Sequence, residues 1–395
     1  MPWKESAPVT ERVKFVCDYD TGLFSMTELC RRYGISRKTG YKWVERFRSG
    51  GPSALEDSSR APQSCPHRTS DELVDEIVEL RKTHPTWGPK KLIRILSTQY
   101  PSKNWPAVST AGQWLKRRGL VKTRRTRQRS AHPGKPHVEV QGPNDLWTVD
   151  FKGDFLMGNG KRCYPLTLMD RYSRLILAIE GHCSTAMLPV RECFERIFRE
   201  QGLPVAILSD NGAPFSSPAI LGLSRLSVWW MKLGISHVLI EKGRPDQNGG
   251  HERMHRDLKA ETARPPARNS DKQQLRFGIY LQDHNELRPH EALGMDVPAK
   301  HYSPSERPFP SQLYEVEYPG HFEVRRVRRH GEIKWQGARL FLTECLAGEL
   351  VGLEEIDDGV WSIFFMSRLL GRFDERTQKF SPGSPRVKFA ELDPA

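Results

Sequence analysis

Residues 145–155 read DLWTVDFKGDF, and this stretch decides the fold of the central part of the chain. Its apolar and polar side chains alternate, which predicts a β-strand with Trp147 and Val149 on one face and Asp150 on the other. Asp154 shares the face of Asp150 but lies about 13 Å further along an extended strand. Asp154 is therefore too far from Asp150 to bind the same pair of ions, and Asp150 is the candidate acid of this strand.

Two further acidic residues have comparable contexts. Asp210 ends the apolar run in ILSDNGAPF, just before the turn-forming pair Asn211-Gly212, and Glu252 begins a helical stretch after Gly249-Gly250. Three carboxylates brought together from two strands and a helix can hold two divalent cations about 4 Å apart. Two such cations stabilise the attacking and the leaving oxygen of a displacement at phosphorus. The alternatives are a turn-forming role for Asp210 and a helix-start role for Glu252.

This trio, with DNGxxF from Asp210 and PDQNGxxE ending at Glu252, resembles insertion-sequence transposases with a retroviral-integrase catalytic core. Lys259 stands where that family usually carries Lys or Arg, and HNELRPH at 284–290 resembles its YN..RPH segment, with His in place of Tyr. The resemblance covers roughly residues 140–300. Asp210 and Glu252 are separated by 41 residues, more than is usual in the family. We expect the extra residues around Ser216 to Leu226, as a loop or a helix extension.

Composition favours a nucleic-acid partner. The 395 residues predict two to four domains. The formal charge of +13 with a pI near 9.4 favours a polyanionic partner, and a merely basic soluble protein is the alternative. The seven cysteines form no C-x-x-C pair, which argues against a zinc ribbon and a disulfide framework. We expect no membrane span, no signal peptide and no zinc module of the retroviral type, and a cytoplasmic, nucleoid-associated protein.

Residues 1–50 predict a helix-turn-helix domain, because Gly34 interrupts the helical pattern and Ser36 is a suitable N-cap for the next helix. A generic three-helix bundle is the alternative. The second helix would present its first residues to the major groove of DNA. The predicted DNA contacts there are Arg37, Lys38, Thr39, Tyr41 and Lys42.

A linker at 51–69 is followed by a second helix-turn-helix domain at 70–122, in which Trp87 is predicted to anchor the core. Residues 115–137 contain nine Lys or Arg and no acid, so a basic arm is predicted at 123–140, with Arg124, Arg125 and Arg127 contacting DNA. A solvated linker is the alternative interpretation of this arm.

The rest of the chain predicts two further domains, which makes the fold class multidomain α/β. Three successive strands followed by alternating helices and strands indicate a mixed sheet at 141–310, and the resemblance implies an RNase H-like integrase core. Short strands between Gly-containing turns predict a small β-barrel at 320–380.

The resemblance implies a DNA transposase that binds the terminal inverted repeats of its element. Water, activated by one Mg²⁺, would cut at the element end, and the freed 3′-hydroxyl would attack target DNA. Asp150, Asp210 and Glu252 would be catalytic and hold two Mg²⁺ ions, for which Mn²⁺ is expected to substitute. Double-stranded DNA and a second copy of the chain are the expected partners. The DNA end would be held by Lys242, Arg244, Gln247, Asn248, Arg256 and Lys259.

Two other functions stay open at this point. The first is a non-catalytic DNA-binding regulator derived from a transposase, against which the intact acids at 150, 210 and 252 argue. The second is a nuclease for RNA–DNA hybrids with the same core, against which the two helix-turn-helix units argue.

Overall fold

The computed structural model describes residues 8–57, 69–121, 139–241, 248–313 and 315–383. The chain divides into two units, Met1–Thr69 and Ser70–Ala395. The predicted linker and basic arm lie largely outside the described residues. The domain boundaries predicted inside the second unit stay predictions.

The first unit is helical. It contains α1 (Pro8–Asp20), α2 (Met26–Arg32), α3 (Arg37–Gly50) and a short 3₁₀ helix (Pro52–Leu55). The Ser36 hydroxyl accepts a hydrogen bond from the Thr39 backbone N–H at 3.2 Å and caps α3 as expected. Gly40 lets α3 approach α2 closely, since a Cβ there would lie 2.7 Å from Cys30 Sγ. The predicted helix-turn-helix is confirmed.

The second unit begins with α4 (Asp71–Thr83), α5 (Pro89–Gln99) and α6 (Val108–Arg117). Trp87 is only 1% exposed and lies at the centre of their core, as predicted. Pro89 occupies the first turn of α5, where its missing N–H costs no hydrogen bond. The remaining buried residues of this cluster are Val74, Ile77, Val78, Leu92, Ile95, Leu96, Ala111 and Leu115.

A mixed sheet follows. Its strands are β1 (Leu146–Phe151), β2 (Phe155–Leu156), β3 (Arg162–Asp170), β4 (Ile176–His182), β5 (Ala206–Ser209) and β6 (Ser236–Leu239). The order is β4-β3-β1-β5-β6, with β2 paired to the start of β3. β3 is antiparallel to β1 and β4, whereas β5 runs parallel to β1 and β6.

Helices cover both faces of this sheet. On the face of Trp147 and Val149 lie α7 (Met187–Gln201) and α8 (Arg225–Lys232), which fill the core with aromatic side chains. On the face of Asp150 lie α9 (Gly249–Thr262) and α10 (Ser270–Gln282), through a cluster that includes Met254, Leu258 and Phe277. The strand alternation predicted from the sequence therefore assigns the two faces correctly. Short helical segments follow at Asp283–Leu287, Glu291–Leu293 and Pro298–His301.

The C-terminal strands are β7 (Glu323–Arg326), β8 (Glu332–Trp335), β9 (Ala338–Phe341), β10 (Leu350–Asp357), β11 (Val360–Phe365), β12 (Arg368–Asp374) and β13 (Lys379–Pro382). They form an antiparallel sheet of order β13-β12-β11-β10-β7 and a separate β8-β9 hairpin. Among the described strands no pairing joins β13 to β7, so the sheet is open and the closed barrel stays a prediction.

The segment from Ser216 to Leu226, where the extra residues are expected, contacts the C-terminal strands. The segment contains a 3₁₀ turn at Ile220–Gly222, and Leu221 and Leu223 pack into the core of the C-terminal strands. This segment therefore joins the mixed sheet to the C-terminal sheet. None of the described helices is long and apolar enough to cross a membrane.

Candidate active site

Asp150 and Asp210 are brought together by the register of two parallel strands. Leu146 pairs with Ala206 and Thr148 with Leu208, and the same register continued by two residues leads to Asp150 and Asp210. The charge of Asp210 is close enough to raise the pKa of Asp150. Adjacent strands lie about 4.8 Å apart. Both carboxylates stand at the carboxyl ends of these strands, where sites in sheets of this kind open. Both residues are half-buried.

The turn after β5 fixes Asp210. The Gly212 backbone N–H donates to Asp210 Oδ1 at 3.1 Å, and the Asn211 side-chain amide donates to the Ile240 carbonyl at 2.8 Å. A Cβ on Gly212 would lie 3.0 Å from Asp210 Oδ2, so glycine leaves room for the carboxylate. The predicted turn-forming role of Asp210 is therefore compatible with a place beside Asp150.

Glu252 lies in the first turn of α9 and is exposed. The helix begins at Gly249, so the Gly249-Gly250 pair belongs to the helix itself. The helix packs against the face of the sheet that carries Asp150. The charge of Glu252 is close enough to Asp150 to contribute to the pKa of that carboxyl.

Burial is the main cause that raises the pKa of Asp150 to about 7; the negative charges of Asp210 and Glu252 act in the same direction, and Lys152 opposes them. Three carboxylates that repel one another in this way favour a cation between them. Their oxygens are the hard ligands that Mg²⁺ prefers. Within the residues that the structure describes, no three side chains are close enough to enclose one ion by themselves.

Two buried histidines lie beneath the carboxylates, and the sequence analysis did not identify them. His251 and His255 project from α9 toward Thr148 of β1 and Thr167 of β3. His255 Nδ1 also lies 3.6 Å from Asp150 Oδ2. His251 and His255 are four residues apart, and residues with this spacing share one face of a helix. This spacing was the feature of the sequence that could have identified them.

The predicted DNA contacts of α3 mostly face solvent. Arg37, Lys38, Tyr41 and Lys42 are exposed, whereas Thr39 is half-buried and its hydroxyl lies 2.9 Å from that of the capping Ser36. Four of the five predicted side chains are thus accessible to a ligand.

On α9, Arg256 and Lys259 are exposed along the same face as Glu252, as predicted. Asn248 stands at the N-cap position and is buried, and its Oδ1 has no hydrogen-bond partner among the described residues. The other predicted contacts lie outside the described residues. They are Lys242, Arg244 and Gln247 before α9 and Arg124, Arg125 and Arg127 in the basic arm.

Family profiles match most of the chain. The Integrase core domain matches residues 140–245 and, in a second profile, 233–298, which include all three acids. A Helix-turn-helix domain matches 11–63 and a Homeodomain-like domain 39–115. The IS481 family transposase C-terminal domain matches 322–381. The resemblance to insertion-sequence transposases with an integrase core is confirmed.

Curated relatives agree with this family. The IS476 39.2 kDa protein of Xanthomonas euvesicatoria is 28% identical over 248 residues, 60% of this chain and 66% of that protein. The IS407 31.7 kDa protein of Burkholderia multivorans is 26% identical over 255 residues, 62% of this chain and 86% of that protein. The magnesium complex of the HTLV-2 integrase core is 16% identical, with a TM-score of 0.33 over 41% of this chain and 98% of that one.

Proposed function

We propose that this integrase-core protein is a DNA transposase that binds the terminal inverted repeats of its element and catalyses metal-dependent 3′-end cleavage and strand transfer. The observation that supports the proposal is the parallel pairing of β1 and β5, which ends two residues before Asp150 and Asp210, together with the effect of the Asp210 charge on the pKa of Asp150. Glu252 on α9 adds the third carboxylate, close enough to act on the pKa of Asp150. In this proposal all three residues are catalytic.

The residues present fit a pair of Mg²⁺ ions. Asp150, Asp210 and Glu252 would hold them, with the remaining oxygen ligands drawn from water and DNA phosphate. When bound, the ions would neutralise charge on the attacking and leaving oxygens of an in-line displacement. Mn²⁺, which accepts the same oxygen ligands, is expected to substitute.

The proposed chemistry has two displacements at phosphorus. In the first, a water oxygen attacks the phosphate at the element end, and the bond to the 3′-oxygen of the element breaks to leave a free 3′-hydroxyl. In the second, that hydroxyl attacks a phosphate of target DNA, whose own 3′-oxygen leaves. The second step makes one phosphodiester bond for each bond broken, so it needs no nucleoside triphosphate and no covalent protein intermediate.

The proposed DNA surfaces follow from the exposed cations. The helix α3 would enter the major groove with Arg37, Lys38, Tyr41 and Lys42. On α9, Arg256 and Lys259 extend beside Glu252, where they would hold phosphates of the element end. Two ends must be joined to one target, so we expect at least a dimer on DNA, acting at the nucleoid.

The test is a strand-transfer assay. Purified protein receives Mg²⁺, a labelled duplex that carries the DNA bordering its own gene, and a supercoiled target. Asp150→Asn, Asp210→Asn and Glu252→Gln should each reduce joined product at least about a thousandfold and leave end binding largely intact. The matched control is Asp154→Asn, because Asp154 is an exposed acid of the same segment that pairs with Arg162. Its activity should equal that of the wild type.

The alternative function, a DNA-binding regulator, has a distinct outcome in this assay. Tight end binding by the wild type and by Glu252→Gln, without joined product from either protein, would support the regulator. Loss of end binding in the amide variants would show instead that the three acids have a structural role.

A further inference from the structure

Four buried polar side chains lie between α9 and the sheet, directly below the carboxylates. Thr148, Thr167 and His251 are fully buried, and His255 is 4% exposed. The Nε2 atoms of His251 and His255 both lie 2.6 Å from Thr167 Oγ1. Two imidazoles on successive turns of one helix therefore meet at one hydroxyl of β3.

The protons of this cluster can be assigned from its contacts. Thr167 Oγ1 has a third neighbour, the Asp150 backbone carbonyl at 2.9 Å. A carbonyl oxygen only accepts, so the single proton of the hydroxyl is donated to it, and both imidazoles must donate their Nε2–H to Thr167. His251 Nδ1 then accepts from the Thr148 hydroxyl at 2.8 Å. The Met169 carbonyl lies 3.2 Å from the same hydroxyl, so it shares this proton through the longer of the two contacts. The hydroxyl of Thr167 has no further capacity for hydrogen bonds.

The cluster connects the elements that carry two of the three acids. Thr167 binds the backbone of Asp150, and His251 directly precedes Glu252 in α9. We propose that Thr167, His251 and His255 form a hydrogen-bonded clamp that sets the position of Glu252 relative to Asp150. This inference rests on the proposed function. The three are positioning residues, because they act on the reaction through the carboxylates.

Packing alone does not account for this arrangement. Met254 and Leu258 of α9 already bury an apolar face against the sheet. Burial of four polar groups in the same interface is unfavourable unless each has its partner. Such a network permits one axial position of α9 on β1 and β3, whereas apolar contacts alone tolerate sliding. Interactions behind metal ligands of this kind typically change metal affinity 10- to 100-fold.

The first experiment removes the shared hydroxyl in the full-length protein. Thr167→Val should lower Mn²⁺ affinity, measured by calorimetry, about 10- to 100-fold, and should raise the Mg²⁺ concentration needed for strand transfer. Thr167→Ser keeps the hydroxyl and should restore both values to near wild type. Thr262→Val is the matched control, since Thr262 is a buried α9 residue whose hydroxyl bonds only locally, to the Leu258 carbonyl at 2.8 Å. It should behave as wild type.

The second experiment separates the two nitrogens of His255. Glutamine carries an N–H donor at nearly the reach of Nε2, and asparagine carries one near Nδ1. The clamp predicts that His255→Gln retains most of the Mn²⁺ affinity and that His255→Asn loses about as much as Thr167→Val. The opposite order would overturn the clamp, because it would show that His255 acts through Nδ1 on Asp150.

Hydrogen exchange of the α9 backbone gives a readout that is independent of metal and of activity. Thr167→Val should increase exchange in the first turns of α9, and Thr167→Ser should not. Unchanged exchange together with unchanged Mn²⁺ affinity in Thr167→Val would overturn the clamp. A wild type that makes no joined product would contradict the proposed function. If Thr167→Val still increases hydrogen exchange in α9, the same experiment would support the clamp.

Discussion

The two helical regions at 8–57 and 71–117 have similar sequence patterns and different surroundings. Each packs three helices around a small apolar core. The first forms most of a unit of its own, and the start of its α3 presents Arg37, Lys38 and Lys42 to solvent. The second belongs to the unit that contains the integrase core, and several of its polar side chains are paired with that core.

The second region meets the integrase core near the C-terminal half of α9 and near residues 283–296. The Thr86 hydroxyl bonds Glu261, and the buried guanidinium of Arg288 pairs with both Asp257 and Glu261. Lys91 is adjacent, and burial together with the charge of Arg288 lowers its pKa to about 8. Peripheral pairs join Lys90 to Glu291 and Arg94 to Asp296, at 3.5 and 3.6 Å.

The difference shows that the same three-helix pattern serves two purposes. Where its cations stay exposed, the region is suited to reading DNA. Where its cations pair with Glu291 and Asp296 and Thr86 bonds Glu261 of α9, the region packs against the integrase core. Helical periodicity is the same in both cases, and only the long-range partners differ.

The largest predicted effect is the loss of the buried ion pairs of the second unit. Arg288→Ala leaves two half-buried carboxylates, Asp257 and Glu261, without their cation. It should lower the free energy of unfolding of the second unit by about 3–5 kcal/mol, measured by urea denaturation, and should leave the transition of residues 1–69 unchanged. Lys82→Ala breaks the exposed Lys82–Glu79 pair and should cost less than about 0.5 kcal/mol. Equal effects of the two variants would contradict this account.

The two units also differ in how their stability should respond to low pH. The described residues of the first unit contain no histidine, whereas burial and nearby Arg368 lower the pKa of His237 in the second to about 3. Unfolded histidine has a pKa near 6.5, so the unfolded state binds the proton first and stability falls as pH drops below that value. His237 should contribute a loss of about 2 kcal/mol between pH 7 and pH 5.

The measurement compares urea unfolding of the wild type and His237→Gln at both pH values. The variant should lose about 2 kcal/mol less than the wild type. Asp150, whose raised pKa works in the opposite direction, is present in both proteins and cancels. Identical pH dependence of the two proteins would show that His237 is not held neutral in the fold.

The smallest predicted effect concerns the first unit alone. Arg37→Ala and Lys42→Ala should each weaken binding to the element end about tenfold, because each removes one contact to a base edge or a phosphate. Neither should change the Mn²⁺ affinity or the unfolding of either unit. Lys14→Ala, an exposed change on α1, is the control and should bind normally. Normal binding by both test variants would show that this helix-turn-helix does not read the DNA end.

Local patterns in the sequence predicted several elements correctly. Alternation over Leu146–Phe151 assigned Trp147 and Asp150 to opposite faces of β1, because neighbouring side chains on a strand point apart. The Gly34 turn and the Ser36 cap predicted α3 because they satisfy the backbone at a helix start. The family profiles over 140–298 agree with the motif around the three acids.

The sequence by itself determined the elements and the faces they bury, since those depend on neighbours within a few positions. It also predicted the residues of the candidate site, through the motifs shared with the family. The tertiary structure alone decided the register that places Asp150 beside Asp210, the contacts of His251 and His255 with Thr167, and the pairing of Arg288 with α9. It also decided that the described C-terminal strands form an open sheet. These features join residues far apart in the chain, and their partners are selected by packing and by the cost of unpaired buried groups.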